Sequence, residues 1–277
     1  MLKLGLLFKP GLKDKEKILK ELELWKQELG YDSQEISGRG DVALISDWQE
    51  EIDFILCFGG DGTILHSVEY SIFHKAPVLG VNLGKLGFLS GTSLKDLKRS
   101  IFALINGKYK IENRMLLDLK VIRDKNIVFQ GIALNDVVLF KGDYAKLVNL
   151  RLYSNRQFVY QARCDGMIIS TPTGSTAYSL AAGGPIISPT LQSITVTPLN
   201  PQILTTRPMV FDKDDIIEIK LPQNHQVYLQ TDGNSRCDVR FNDKVIIKKA
   251  EQTVKFVKLN QETFYNILRK KLQIGMI

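Results

Sequence analysis

Phe54-Ile55-Leu56-Cys57-Phe58-Gly59-Gly60-Asp61-Gly62-Thr63 carries an unbroken apolar run straight into a loop of three glycines around one aspartate. An apolar run of this length bounded by glycine predicts a strand buried on both faces, and the helical spacing of Thr63 to Phe73 predicts a helix directly behind the loop. The same alternation extends outward. Strands are expected at Leu4 to Phe8 and Pro77 to Val81, and helices at Asp14 to Leu29 and Leu94 to Ile105, the last stopped by Asn106-Gly107. Such strand-helix alternation implies an open parallel sheet covered by helices. Ligands of these sheets sit at the carboxyl ends of strands, which is where Gly59 to Thr63 falls.

After Gly107 the texture changes to period-two patterns rich in β-branched and aromatic residues, at Leu117 to Arg123, Ile127 to Phe140, Leu147 to Tyr153 and Gln157 to Arg163. Further runs lie at Asp215 to Leu221, His225 to Gln230 and Lys244 to Lys248, with turns such as Lys141-Gly142-Asp143 and Ser154-Asn155. These predict mostly antiparallel strands and a second, all-β domain. The expected division is 1–106 for the α/β domain and 107–250 for the all-β domain. The segment 251–277 carries Phe264, Ile267, Leu268 and Leu272 at helical spacing and is expected to pack back on the first domain.

The 277 residues suit two modest domains better than one core. Hydrophobic residues at 44% and charged residues at 24% are those of an ordinary globular chain. The opening Met1 to Pro10 reads as a first strand and not a signal peptide, because it stops at Lys9-Pro10 without a basic leader. No apolar stretch approaches the roughly 20 residues needed to cross a bilayer, so no membrane partner is expected. Cys57, Cys164 and Cys237 show no metal or redox spacing, which together with the opening suggests a cytoplasmic protein. The formal charge of +7 comes from 37 basic residues dispersed among 30 acidic ones, a pattern of solvated faces and not of a nucleic-acid partner.

Glycines let backbone amides approach a polyphosphate closely, and a following helix offers unpaired N–H groups to the anion. A carboxylate in such a loop repels phosphate and so needs a reason. Phosphoryl transfer to an alcohol supplies one: a base must take the hydroxyl proton while Gly59, Gly60, Thr63 and a cation neutralise the phosphates. Asp61 as the N-cap of the helix is the structural alternative. A P-loop is excluded, since Gly80 to Gly84-Lys85 is one residue short and is followed by Leu86. The single Gly-x-Gly-x-x-Ala, Gly38 to Ala43, follows a polar segment and is expected to be only a loop.

Asp165-Gly166, the strand Met167 to Ser170 and Thr171-Pro172-Thr173-Gly174-Ser175-Thr176-Ala177-Tyr178-Ser179 form a second constellation, ending in Gly183-Gly184-Pro185. Hydroxyls and amides at this density can hold ribose and phosphate oxygens, and Tyr178 offers a flat face to a base. A turn capping a short helix at Thr176 is the alternative. Asn135-Asp136 interrupts an apolar run, where polar groups need a ligand, a turn or each other. If the strand is regular the two side chains point to opposite faces; a hairpin turn is the alternative. Of His66, His74 and His225, only His66 lies near Asp61 in sequence, and nothing resembles a zinc site.

Taken together, Gly59-Gly60-Asp61-Gly62-Thr63, Gly80-Val81-Asn82-Leu83-Gly84-Lys85-Leu86-Gly87-Phe88-Leu89, Asn135-Asp136, Asp165-Gly166 and Ser170 to Ser179 with Ala182-Gly183-Gly184-Pro185 closely resemble the NAD kinase family in order and spacing. The first loop is shared with diacylglycerol, sphingosine and phosphofructokinase-type kinases. Thr171 to Tyr178 is the specific part. The resemblance implies a Rossmann-like N-terminal domain, a β-sandwich C-terminal domain, NAD and ATP as substrates, Mg²⁺ accompanying ATP, and a homodimer or homotetramer.

By matching position it also implies Asp61 as the base for the 2′-hydroxyl of the adenosine ribose, with Gly62 contacting substrate. Asn135 and Asp136 match the ribose- and adenine-contacting pair, and Thr176, Ala177 and Tyr178 the adenosine-binding segment, with Ser179, Ala181 and Asn234 as further substrate-binding positions. Arg163 and Asp165 match contacts near the nicotinamide half, and Lys146 and His66 match further binding positions. The chain departs from the family at Asp136, where Glu is commoner, at Ala181 (Ser), Gln202 (His) and Asn234 (Gln). Each departure shortens or removes a polar contact. A lipid or sugar kinase sharing only the first loop, and a non-catalytic nucleotide- or nucleic-acid-binding protein, are the rival readings. Acceptor assays separate the first, and ligand binding without ADP release marks the second.

Overall fold

A computed structural model describes residues 1–36, 51–84, 87–142, 146–259 and 262–273, with only the backbone of Ser235. The Gly38 to Ala43 motif, Lys85-Leu86 and Asp143 lie outside the described residues. The chain divides into two compact units, one of residues 1–113 with 254–277 and the other of residues 114–253.

The first unit runs β1 (Leu2–Phe8), α1 (Lys15–Leu29), β2 (Tyr31–Glu35), β3 (Phe54–Phe58), α2 (Asp61–His74), β4 (Val78–Asn82), β5 (Ser90–Ser93) and α3 (Leu97–Ile105). Its strands are parallel: β1 pairs with β2 on one side and β3 on the other, β3 with β4, and β4 with β5. Every residue of β3 is buried, as its unbroken apolar run requires of an inner parallel strand. Leu4 and Leu6 of β1, Leu56 and Phe58 of β3, and Leu79 and Val81 of β4 pack with Ile18 and Leu22 of α1 and Ile101 and Leu104 of α3 in one core. Between β1 and β3 the order of connection reverses, and the two strands end level, Phe8 beside Phe58. Sheets of this kind offer their ligand crevice at that switch point.

In the second unit β6 (Lys110–Arg123), whose first residues belong to the first unit, leads through β7 (Asn126–Ala133), β8 (Asp136–Lys141), β9 (Val148–Ser154), β10 (Gln157–Cys164) and β11 (Gly166–Ser170) to α4 (Tyr178–Ala181). It continues with β12 (Ser193–Leu199), β13 (Met209–Asp212), β14 (Ile217–Lys220), β15 (Val227–Thr231), β16 (Ser235–Val239) and β17 (Lys244–Lys258). One sheet is antiparallel with the order β13-β12-β11-β8-β15-β16. The other contains β10, β9, β14, β17, β6 and β7 in that order.

Alternate residues from both sheets meet in a single core: Leu117 and Leu119, Leu150 and Leu152, and Val245 and Ile247 from one, and Val137 and Leu139, Met167 and Ile169, and Val227 and Leu229 from the other. This is a β-sandwich, and with the Rossmann-like parallel sheet it gives the α/β plus all-β class expected of the family. From residue 254 the end of β17 belongs to the first unit, where Phe256 pairs with Val78 of β4, and α5 (Phe264–Leu272) follows.

Three sequence expectations need correction. The run Ile127 to Phe140 is not one strand: the chain leaves β7 at Ala133, bends at Leu134-Asn135 and starts β8 in the other sheet. It is not a hairpin either, because β7 and β8 are not paired with each other. Thr176 does not cap the short helix, since α4 is preceded by Ala177 and Thr176 donates instead to the Thr173 carbonyl.

Candidate active site

The Gly59 to Thr63 loop leaves β3 at its carboxyl end, and the Gly59 N–H still donates to the Val81 carbonyl of β4. Gly60, not Asp61, is the N-cap of α2, and no side chain caps the helix there. Asp61 is therefore the first helical residue, and its carboxylate turns away from the orphan amides of its own helix. It accepts the Phe88 N–H at 2.9 Å through Oδ2 and the Leu89 N–H at 3.1 Å through Oδ1. A Cβ on Gly87 would stand 2.1 Å from Asp61 Oδ1, so the backbone that grips the carboxylate has to be glycine there. The Gly87 N–H is in turn held by Ser90 Oγ.

Lys271 Nζ of α5 lies 3.4 Å from Oδ2, the same oxygen that accepts the Phe88 N–H. About a third of the Asp61 side chain remains exposed. Around Gly60 and Gly62 a Cβ would meet nothing of the described residues within 4 Å, so among them the backbone of the first turn is uncovered. A helix N-terminus without a side-chain cap, beside a partly exposed carboxylate, can bind an anion and accept a proton at adjoining points. His66 is exposed on α2.

In the second unit the Asn135-Asp136 and Thr171 to Ser179 constellations meet. Thr171 N–H donates to the Asn135 carbonyl at 2.9 Å, and Thr171 Oγ1 donates to the Leu134 carbonyl at 2.5 Å. A Cβ on Gly174 would sit 2.1 Å from the Asn135 carbonyl oxygen, so this glycine is required by close approach of the two backbones. Arg114, buried, donates to Thr173 Oγ1. Ser175 is buried and bonded to the Pro172 and Ile187 carbonyls, and Ser179 is buried against Thr197 Oγ1. Tyr178 is half exposed, with Thr176 and Ala177 beside it partly exposed. Ala181 and Asn234 are exposed.

The bend at Leu134-Asn135 is held by a residue that the sequence reading did not single out. Asp232 follows β15 in left-handed backbone, and its carboxylate accepts the N–H groups of Leu134, Asn135 and Asp136 at 2.7, 2.8 and 3.0 Å. The Asp-Gly pair Asp232-Gly233 was the one available signal, and it announces a turn without saying what the carboxylate holds. Asp136 is buried, and burial, with the nearby Asp232 charge, pushes its carboxyl up to about 7. Burial also raises Asp232, against the pull of its three backbone donors. Ser170 pairs in register with Asp136 and also with Thr195, and the hydroxyls of Ser170 and Thr195 are buried with no hydrogen-bond partner among the described residues. This row of polar groups keeps unused hydrogen-bonding capacity beside Asn135.

Asp165 is tied elsewhere: Lys141 Nζ at 2.6 Å and Asn200 Nδ2 at 2.9 Å hold its carboxyl below the usual range, the Lys141 contact contributing most. Arg163 and Lys146 are exposed. Among the described residues, no three His, Cys, Asp or Glu side chains converge as metal ligands.

Known proteins bear on these two groups of residues. Residues 14–109 match the ATP-NAD kinase N-terminal domain and residues 134–259 the ATP-NAD kinase C-terminal domain. An NAD kinase of Desulforamulus reducens is 42% identical over 224 residues, covering 80% of this chain and 78% of that protein. An NAD kinase of Heliobacterium modesticaldum is 39% identical over 232 residues, covering 83% and 82%. Among solved structures, yeast NADH kinase complexed with NADH superposes with a TM-score of 0.85 at 26% identity, covering all of this chain and 89% of that one. An NAD kinase from Archaeoglobus fulgidus in complex with ATP gives 0.77 at 25% identity, covering 99% and 100%. With both domain signatures present in order and relatives this similar over four-fifths of its length, the chain that presents Asp61 beside an open glycine loop belongs to the ATP-NAD kinase family.

Proposed function

We propose that the protein transfers the terminal phosphate of ATP to the 2′-hydroxyl of the adenosine ribose of NAD, giving ADP and NADP. The observation that carries this reading is the Asp61 carboxylate, fixed by the Phe88 and Leu89 amides and not spent on capping its own helix. Asp61 accepts the hydroxyl proton as the ribose oxygen bonds to the γ-phosphorus and the bond from that phosphorus to the bridging oxygen of ADP breaks. The uncapped amides of the first turn of α2 face the charge on the phosphates. A preformed donor array of this kind needs no reorganisation during the reaction.

Mg²⁺ enters with ATP, carried by the phosphates, in keeping with the preference of this ion for substrate oxygens and water over an all-protein cage. It neutralises phosphate charge. Asn135, Asp136, Thr176, Ala177, Tyr178 and Ser179 are the groups assigned to the adenosine half, with Gly62 and His66 on the loop side. Arg163, Asp165, Lys146, Ala181 and Asn234 are assigned to the rest of the dinucleotide. The homodimer or homotetramer and the cytoplasmic location belong to the same proposal.

The test is incubation with Mg-ATP and NAD, with NADP detected enzymatically, for the parent chain and for Asp61→Asn. The parent makes NADP. The variant loses about two to four orders of magnitude in kcat while still binding NAD, the span expected of a general base. NADP formation by Asp61→Asn at the parent rate would overturn the assignment of the base. NADH, inorganic polyphosphate, a diacylglycerol and a hexose in parallel reactions define acceptor and donor.

A further inference from the structure

The glycine loop lacks the lysine that phosphate-binding loops commonly use as a point charge on the transferred group. The structure supplies such a lysine from the other end of the sequence. Lys271 lies in the last turn of α5, 210 residues from Asp61, and the two belong to the same compact unit. Its ammonium is 3.4 Å from Asp61 Oδ2 and 4.7 Å from the centre of the Phe88 ring, the residue whose N–H also holds Asp61. Phe88 in turn meets Phe264, at the start of the same helix, with ring centroids 6.3 Å apart. Thr263 caps that helix by accepting the Asn266 N–H. The lysine is thus placed by a capped helix docked through an aromatic contact. Its neighbours point elsewhere: Lys270 pairs with Glu262 and Arg269 with Asn266.

We propose that Lys271 is a donor-binding residue of the reaction, contacting the γ-phosphate of ATP. The inference rests on the reading of Asp61 as the base, and geometry then leaves the phosphate little choice. The acceptor oxygen must lie within hydrogen-bond reach of Asp61, about 2.6–3.2 Å, and the reacting phosphorus about 3–3.5 Å beyond it. The transferred group therefore falls within a few ångströms of the carboxylate that Lys271 already touches. Close to a third of the lysine side chain is exposed, so its flexible stem can exchange one anionic partner for another. In the ligand-free chain the ammonium neutralises Asp61; with ATP present it turns to a γ-phosphate oxygen, which leaves the carboxylate free to accept the ribose proton. No bond to Lys271 is made or broken, and its proton is retained throughout.

Steady-state kinetics of the full chain with Mg-ATP and NAD test this in three variants. Lys271→Met keeps the length of the stem and removes the charge. The expected result is a fall of about ten- to hundred-fold in kcat/KM for ATP, the scale of one charge-assisted contact, with KM for ATP raised and KM for NAD within about twofold of the parent. Lys271→Arg restores most of the ATP term. Lys270→Met, which removes the neighbouring charge, leaves both KM values as they were. If Lys271→Met leaves the ratio of the two KM values unchanged, or moves it the other way, Lys271 does not bind the donor, whatever happens to the melting temperature. A parent chain that forms no NADP overturns the proposed function itself, a result that the variants cannot mimic.

Discussion

Gly87→Ala tests the central geometry without replacing any group that reacts. The new methyl would lie 2.1 Å from Asp61 Oδ1, and restoring even a 3.0 Å separation requires the carboxylate or the Gly87 backbone to move by about 0.9 Å. Either movement acts on the Phe88 and Leu89 amides that fix the carboxylate, because these residues follow Gly87 directly. A misplacement of about 1 Å in a reacting group costs on the order of 100-fold in rate. The expected outcome is a kcat about 100-fold below the parent in the NADP-forming assay. The dissociation constant for NAD, measured by calorimetry, should stay within about threefold, since the methyl does not touch the groups assigned to adenosine. Weakening one of the two amide contacts also costs about 1–3 kcal/mol, read as a lower urea midpoint. A variant that turns over within threefold of the parent would refute the reasoning, because it would mean that the position of Asp61 does not limit the reaction.

Other consequences concern the second unit. Asp232→Ala leaves the N–H groups of Leu134, Asn135 and Asp136 without their acceptor, and urea unfolding should register a loss of about 3 kcal/mol or more. A loss below about 1 kcal/mol would mean that water replaces the carboxylate. Asp136, with its carboxyl raised to about 7, binds a proton in the folded chain that the unfolded chain has released above its ordinary value of 3.8. Its contribution to stability is thus fully present below that value and declines as pH rises towards 7. Asp136→Asn removes this decline, so the variant should gain stability relative to the parent between about pH 4 and pH 7, by a few kcal/mol in all. A difference in urea midpoints that does not change with pH over this range would show that the carboxyl titrates normally.

What the sequence makes legible follows burial. The strand Phe54 to Phe58 and the alternating strands of the sandwich lie inside sheets, where every residue or every second residue must be apolar, and their patterns are visible accordingly. Ser193–Leu199, an inner buried strand, stands outside this rule, having drawn no expectation; the other strands missed are of another kind. Tyr31–Glu35, Met209–Asp212 and Ser235–Val239 are edge strands, paired on one side only and largely polar or exposed, so no period stands out. Ser90–Ser93 is short and has no apolar residue apart from glycine, yet it pairs with β4.

In the site, the carboxylate of Asp61 and its flanking glycines are readable because one short segment holds them. The groups that position it are not. Phe88 and Leu89 act through backbone N–H groups, which carry no side-chain signature, and Lys271 acts across a separation that spacing rules do not reach; the same distance hides the hold of Asp232 on Asn135 in the second unit. Asp232 also supports the break at Leu134-Asn135 with its carboxylate, whereas the Asn135-Asp136 pair within the run leaves strand and turn equally open.

The fifteen-residue strand β17 begins in one unit and ends in the other, and α5 comes after it. The ribosome therefore delivers most of the Rossmann-like half first and its missing pieces last, with the whole sandwich in between. Until residue 254 emerges, Val78 lacks the neighbour that Phe256 will become, and the core lacks Val257. The nascent N-terminal half has to wait, apolar flank uncovered, while the sandwich assembles ahead of it, an order of events that invites chaperone help during translation. A gene cut at that codon would still encode every residue of the sandwich core, and a partner that never finishes.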